Sequence, residues 1–168
     1  MNDLETIIGI SANTAIRVNK IYVRAKDIQK YLEQYCQPGL FQNEGAGLYN
    51  FSKSGSAFLV RNLNRYFAIT THHQLIKADY KFDQFSVMNG EKKRLISPEM
   101  AIFPEGSEHH RDSYDFVLFD FTGPVKSGAL GAVGWYDISE DVDRSFTPKA
   151  NLVVSIGYPG ELNHIDYS

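Results

Sequence analysis

Two side chains in this sequence could carry out proton transfer together. His73 follows an apolar run at residues 66–70, and Asp115 stands at the head of another apolar run at residues 115–119. Both runs are predicted β-strands, and a strand packed in a sheet fixes the backbone from which a side chain projects. An imidazole can take and return a proton near neutral pH, and a carboxylate can orient it and stabilise its charged form. A histidine and an aspartate in such positions are therefore residue types that could act together in proton transfer.

The elements that must position this pair are predicted from short apolar runs broken by turn residues. The best helix candidate covers residues 25–35 and is ended by Gln37-Pro38-Gly39. Strands are predicted at residues 56–60, 66–70, 85–88, 99–103, 115–119 and 152–156, with a turn at 62–64, whereas the glycine-rich segment 129–135 is ambiguous. Short strands at this spacing predict an all-β barrel or sandwich preceded by a helix.

Three elements of the sequence resemble trypsin-like serine peptidases, and the first of them consists of two runs. The run G-S-A-F-L-V from Gly55 resembles the family strand G-[ST]-[GA]-F-L-[VI], and A-I-T-T-H-H from Ala68 resembles [VI]-[VIL]-T-x-x-H, departing from it at Ala68. The run D-F-V-L-F from Asp115 resembles D-[IFL]-A-L-L. The run L-V-V-S-I-G-Y-P from Leu152 resembles the first strand of the family's second barrel, which often ends in G-[YFW]-P. The order of histidine before aspartate also matches this family and differs from subtilisins and α/β-hydrolases.

The resemblance implies an all-β, trypsin-like β-barrel fold, with the first barrel, the start of a second and an N-terminal helical extension. The expected divisions are an extension with a helix at residues 1–45, the first barrel at 46–150 and the first strand of an incomplete second barrel at 151–168. His73 takes the place of the general base, because its spacing from Thr70 fits the motif better than that of His72. Asp115 takes the place of the orienting carboxylate, with Asp112 as the alternative. A polar strand end and a turn aspartate are the structural alternatives for the two positions.

The third member of a serine peptidase triad is not found in the sequence. The family's nucleophile lies in a G-x-S-G-G turn, and the nearest segments, Gly55-Ser56-Ala57 and Gly106-Ser107-Glu108, lack the glycine pair. We therefore expect the serine, the oxyanion hole and the specificity pocket to lie outside this chain, which alone would be inactive. The implied function is that of a serine endopeptidase fragment. A catalytically inactive, peptidase-like binding or regulatory module and an unrelated barrel with chance motif matches are the alternatives.

Composition excludes several other classes of protein. The 168 residues suit one globular domain, and the net charge of -3 and the lack of a basic cluster argue against nucleic-acid binding. No apolar stretch approaches the length of a membrane span, and no signal peptide is recognisable, so we expect a cytoplasmic protein. Its expected partner is a polypeptide substrate or peptide ligand, with possible self-association through exposed apolar surface.

No cofactor or metal site is expected. The pairs His72-His73 and His109-His110 are adjacent residues, which point to opposite sides of an extended backbone, and no metal-ligand spacing is present. The single cysteine, Cys36, excludes a disulfide within the chain and is interpreted as a small buried hydrophobic residue.

Overall fold

The computed structural model describes residues 14–18, 21–43, 51–77, 81–89, 94–104 and 115–139. Strands β1 (Ala15–Val18) and β2 (Ile21–Arg24) form an antiparallel hairpin. A 3-10 helix (Ala25–Asp27) and helix α1 (Ile28–Glu33) follow, close to the bounds predicted for a helix at residues 25–35. Apolar side chains of the hairpin and of α1 form a small cluster of their own. None of the helices in the described ranges has the length and apolar character needed to cross a bilayer.

The rest of the described chain is organised around one antiparallel sheet. Its strands are β3 (Cys36–Gln42), β4 (Phe51–Asn62), β5 (Arg65–Thr70), β6 (Phe85–Asn89), β7 (Arg94–Ile96), β8 (Met100–Ile102) and β9 (Val117–Asp120), joined by the short strand β10 (Tyr136–Asp137). Helix α2 (His72–Lys77) follows β5, a 3-10 helix (Phe82–Gln84) precedes β6, and helix α3 (Thr122–Lys126) follows β9. The strand order is β7-β6-β3-β4-β5-β9-β8, and β10 pairs in parallel with β4.

The sheet is strongly curled, and the reason lies in its connectivity. Strands β7 and β8 lie at opposite ends of the strand order, yet only residues 97–99 separate them in the chain. Four Cα steps span at most about 15 Å, so the two ends of the sheet must approach each other. Gly55 supports the bend, because its φ of 66° interrupts the twelve-residue strand β4 with a conformation that glycine adopts at little cost. The fold is therefore mostly β, with a curled antiparallel sheet that forms a half-barrel and is compatible with a barrel fold.

Aromatic side chains fill the concave face of the sheet. Phe85 and Phe119 stack with ring centroids 4.0 Å apart, and Phe41 meets Phe85 edge-on at 5.5 Å. All three rings are buried, and full burial of such a side chain stabilises the fold by about 1.5–3 kcal/mol. Leu75 of α2 is buried in the same cluster, so the short helix is fixed to the sheet by its apolar side.

Strand β3 was not predicted from the sequence. Its segment contains Pro38 and Gly39, which normally argue against a strand, but the register of β3 on β4 shifts between Pro38 and Leu40. Such a bulge is one of the few places where a strand accepts proline. The first strand of the sheet therefore lies within residues 1–45, which the sequence assigned to an extension.

Where the structure describes them, the predicted strands fall inside observed ones or within two residues of them. Residues 115–119 were expected to be a strand, but β9 begins at Val117, so Asp115 lies just before it. The ambiguous segment 129–135 contains no strand. Its Leu130 is buried in the hydrophobic core, and its Trp135 packs against that core. The predicted strand at 152–156 and the division at 151–168 lie outside the described residues.

Candidate active site

His73 is held in position by strand β5, which precedes it in the chain, and by helix α2, to which it belongs. Strand β5 ends at Thr70, whose hydroxyl donates a hydrogen bond of 2.9 Å to the carbonyl of Ser56 on β4. Helix α2 begins two residues later, and its buried Leu75 anchors it to the core. His73, the second residue of this helix, is therefore presented at the rim of the sheet by a short turn with little freedom.

The pairing of β5 with β9 brings Asp115 to the same rim. In this antiparallel pair Thr70 lies opposite Val117, so the residues just after Thr70 face those just before Val117. The amide nitrogen of His72 lies 3.4 Å from the carbonyl oxygen of Asp115, which extends this register by two residues. Strand register thus accounts for the meeting of two residues that are far apart in the sequence.

His73 holds both carboxylate oxygens of Asp115. Its backbone N–H donates a hydrogen bond of 2.7 Å to Oδ1, and its ring nitrogen Nδ1 contacts Oδ2. An ionised carboxylate can only accept hydrogen bonds, so this contact favours the tautomer with the proton on Nδ1. The lone pair of Nε2 then remains on the opposite side of the ring, where a general base would need it.

The electrostatics keep the Asp115 carboxylate ionised. Burial alone would raise the pKa of Asp115, but the hydrogen bonds from the His73 ring and amide, with electrostatic attraction to the His73 and His72 side chains, bring the pKa below its usual value. The two side chains are only partly buried, with 50% of His73 and 35% of Asp115 exposed. The pair is thus held in place by hydrogen bonds while its ring stays accessible.

The competing residues are placed differently or not described. The ring of His72 points to Phe82 and Phe103, with centroid distances of 6.0 and 5.6 Å, while the ring of His73 contacts Asp115. Asp112 lies outside the described residues, as do His109 and His110. The structure therefore brings together the two residues preferred from the sequence, and their catalytic roles stay predictions.

Nothing in the described ranges gathers three or more metal-ligating side chains of His, Cys, Asp or Glu. Cys36 is buried at the start of β3. Burial raises the pKa of its thiol, which keeps it protonated and makes it a poor nucleophile.

No protein-family model matches the chain, and no curated protein or solved structure is significantly similar to it. Functional interpretation therefore depends on the geometry of the site and on the motifs that surround it.

Sequence reasoning missed two features of the site. Helix α2 was not predicted, because its six residues are too few for a helical repeat of apolar positions to be recognised. The contacts of His72 with Phe82 and Phe103 were also missed, since the three rings come from separate elements. The available signal was that Phe103 ends the strand predicted at residues 99–103 and that Phe82 lies three residues before the strand predicted at 85–88.

Proposed function

We propose that this chain contributes the general base and the orienting aspartate of a trypsin-like serine endopeptidase. The nucleophilic serine would come from sequence outside these 168 residues. The observation that carries the proposal is the double contact of His73 with both carboxylate oxygens of Asp115. Further support comes from the curled half-barrel and from motifs that occur in the order expected for this family.

In the proposed mechanism the serine Oγ attacks the carbonyl carbon of the scissile peptide bond while its proton passes to Nε2 of His73. The Nδ1–H group stays hydrogen-bonded to Asp115, whose negative charge stabilises the imidazolium. Nε2 then gives the proton to the leaving amine, the C–N bond breaks, and an acyl-enzyme remains. A water molecule repeats these steps on the ester, which releases the acid and regenerates the serine.

The exposure of the pair supports the need for a complementing unit. Charges and hydrogen bonds act most strongly in a site from which water is excluded, and His73 is half exposed. The second barrel implied by the resemblance would cover this rim and supply the oxyanion hole. The motif L-V-V-S-I-G-Y-P near the end of the sequence would be its first strand.

A second candidate function is a peptide-binding or regulatory module derived from a peptidase. The observation that favours it is that none of the serines in these 168 residues is followed by two glycines. Such a module would keep the His73–Asp115 contact as part of a stable surface and would bind peptides without cleaving them. The two functions differ in whether a reactive serine is present.

The test uses the protein expressed from its complete natural reading frame. We expect a fluorophosphonate probe to label it and peptide hydrolysis to be measurable. His73→Ala should reduce hydrolysis by about 10⁶-fold, as when a triad base is removed. Asp27→Asn is the matched control, because Asp27 forms an exposed ion pair with Arg24 on a separate element and should leave the rate unchanged.

Circular dichroism would establish that each variant is folded. Labelling that survives in His73→Ala would contradict the proposed role of the histidine. A complete reading frame without a labelled serine, combined with measurable peptide binding, would favour the non-catalytic module instead.

A further inference from the structure

Three rings beside the candidate pair contact one another and form what we term the ring cluster: His72, Phe82 and Phe103. The centroids of Phe82 and Phe103 are 4.5 Å apart with their planes at 70°, and His72 is stacked on Phe82 with planes 27° apart. His72 also meets Phe103 edge-on at 5.6 Å. Such distances and angles are favourable for aromatic pairs, so each ring is held by the other two.

Each ring of the cluster lies at the start of, or directly after, a different element. His72 begins α2, Phe82 begins the 3-10 helix before β6, and Phe103 directly follows β8. A platform built from separate elements keeps its shape better than one built on a single loop.

The two phenylalanines are also incompletely covered. Phe82 and Phe103 each leave 36% of their surface accessible, although rings of this size are usually buried. Contiguous exposed apolar surface commonly marks a site for a ligand or partner, and binding sites combine apolar walls with a few polar groups. The ring cluster has both properties, because its third member is an imidazole.

The ring cluster is directly connected to the candidate pair. His72 precedes His73 in the chain, and its amide lies 3.4 Å from the carbonyl oxygen of Asp115. A peptide whose scissile bond lay over His73 would therefore carry its neighbouring side chains past these rings. The ionised Asp115 disfavours an acidic side chain at this place, and the aromatic surfaces favour an apolar one.

We propose that the ring cluster is an apolar subsite, which receives a hydrophobic side chain of the peptide close to the bond on which His73 acts. The proposal rests on the proposed function and adds a substrate preference to it. It assigns Phe82 and Phe103 to recognition and leaves proton transfer to His73 and Asp115.

The first test measures substrate preference in the protein from its complete reading frame. Peptide pairs that differ by leucine or aspartate are compared at each of the two positions on either side of the scissile bond. We expect leucine to be preferred at one position, and Phe103→Ala to lower that ratio of kcat/KM by about tenfold. Phe51→Ala is the matched control, because Phe51 is a similarly exposed phenylalanine at the start of β4 that does not belong to the ring cluster.

The second test measures binding without requiring catalysis. N-acetyl-phenylalanine amide and N-acetyl-aspartate amide are titrated into the same protein while the backbone amide signals of the ring cluster are followed by NMR. We expect saturable shifts only with the phenylalanine derivative. Its dissociation constant should rise about tenfold in Phe103→Ala and stay unchanged in Phe51→Ala.

The outcomes separate the two proposals. A protein that is not labelled by a fluorophosphonate but binds the phenylalanine derivative through the ring cluster would refute the peptidase and retain an apolar peptide site. A labelled protein whose leucine preference and ligand binding are the same in Phe103→Ala as in the wild type would refute the subsite and retain the peptidase. Signals that shift with protein concentration and not with ligand would identify a self-association surface, which would also overturn the subsite.

Discussion

Strand β9 has an aspartate at or near each of its ends, and the two carboxylates have different hydrogen-bond partners. Asp120, the last residue of the strand, is buried; its Oδ2 accepts a hydrogen bond of 2.8 Å from Arg65, and its Oδ1 accepts one of 2.8 Å from the amide of Thr122. Asp115, two residues before the strand, is partly exposed, and both its oxygens are held by His73. A guanidinium stays charged at any ordinary pH, whereas an imidazole changes its charge near neutrality.

The difference indicates what each carboxylate can do. Burial would raise the pKa of Asp120, but hydrogen bonds from Thr122 and Arg65 lower the pKa overall, so this carboxylate is charged at neutral pH and acts as a structural tie. The Arg65 guanidinium also lies 4.8 Å from the centroid of the Phe67 ring, which adds a cation–π contact to the same end of the sheet. Of the two partners, only the imidazole at the Asp115 end of β9 is a group that can gain and lose a proton near neutral pH.

The largest expected effect concerns rate. In the protein from the complete reading frame, Asp115→Asn should lower kcat for peptide hydrolysis by about 10⁴-fold, because an amide in place of the carboxylate favours the wrong histidine tautomer. Asp120→Asn should leave kcat per folded molecule within about twofold, because Asp120 is at the other end of β9. Steady-state kinetics corrected for the folded fraction would measure both. Equal losses in the two variants would remove the functional distinction between the two ends.

The next effect concerns stability, and here the substitution of Asp120 should cost more than the substitution of Asp115. Asp120→Ala should lower the free energy of unfolding by about 2–3 kcal/mol, because a buried charge-assisted hydrogen bond is lost and the Thr122 amide is left without its acceptor. Asp115→Ala should cost less than about 1 kcal/mol, since its contacts are exposed to solvent. Urea denaturation of both variants provides the measurement. A larger loss of stability in Asp115→Ala than in Asp120→Ala would show that the contact of Asp115 with His73 is also primarily structural.

Much of this architecture could be predicted from apolar runs and turn residues. Strands β4 and β5 and their hairpin follow from the apolar segments on either side of residues 62–64. The pairing of β5 with β9, on which the site depends, leaves no local signal in the sequence. The sequence did not predict this pairing, because long-range pairing is decided by packing of the whole sheet. Only the meeting of His73 and Asp115 was expected, and that expectation came from the motif resemblance.

Two of the features that escaped prediction have identifiable physical causes. Strand β3 was hidden by Pro38, since a bulge that tolerates proline depends on the partner strand and not on the segment itself. The structural role of Asp120 was hidden for a similar reason, because Arg65 is brought to it by the β5–β9 pairing.

A pH titration of stability would sharpen the same comparison. The pKa of Asp120 is lower in the folded chain than its ordinary value of 3.8, so its contribution to stability is complete above that pH. This contribution is lost as the pH falls through the lower folded value. The free energy of unfolding should therefore fall less between pH 6 and pH 3 in Asp120→Asn than in the wild type. Asp115→Asn should change the acid dependence less, because solvent screens its exposed contacts with His73.

The smallest effect is expected at the turn between β4 and β5, just before Arg65, the partner of Asp120. Leu63 joins β4 to β5 with a φ of 55°, a conformation that costs a leucine about 1–2 kcal/mol and a glycine very little. The side chain is 73% exposed, so its removal loses little packing. Leu63→Gly should therefore stabilise the protein by about 0.5–1 kcal/mol after the greater backbone freedom of glycine in the unfolded chain is subtracted. Thermal unfolding would measure the gain, and Asn64→Gly, at a turn position without positive φ, is the control that should not stabilise. Destabilisation by Leu63→Gly would mean that this side chain, and not the backbone alone, helps to hold β5 and hence Arg65 in register.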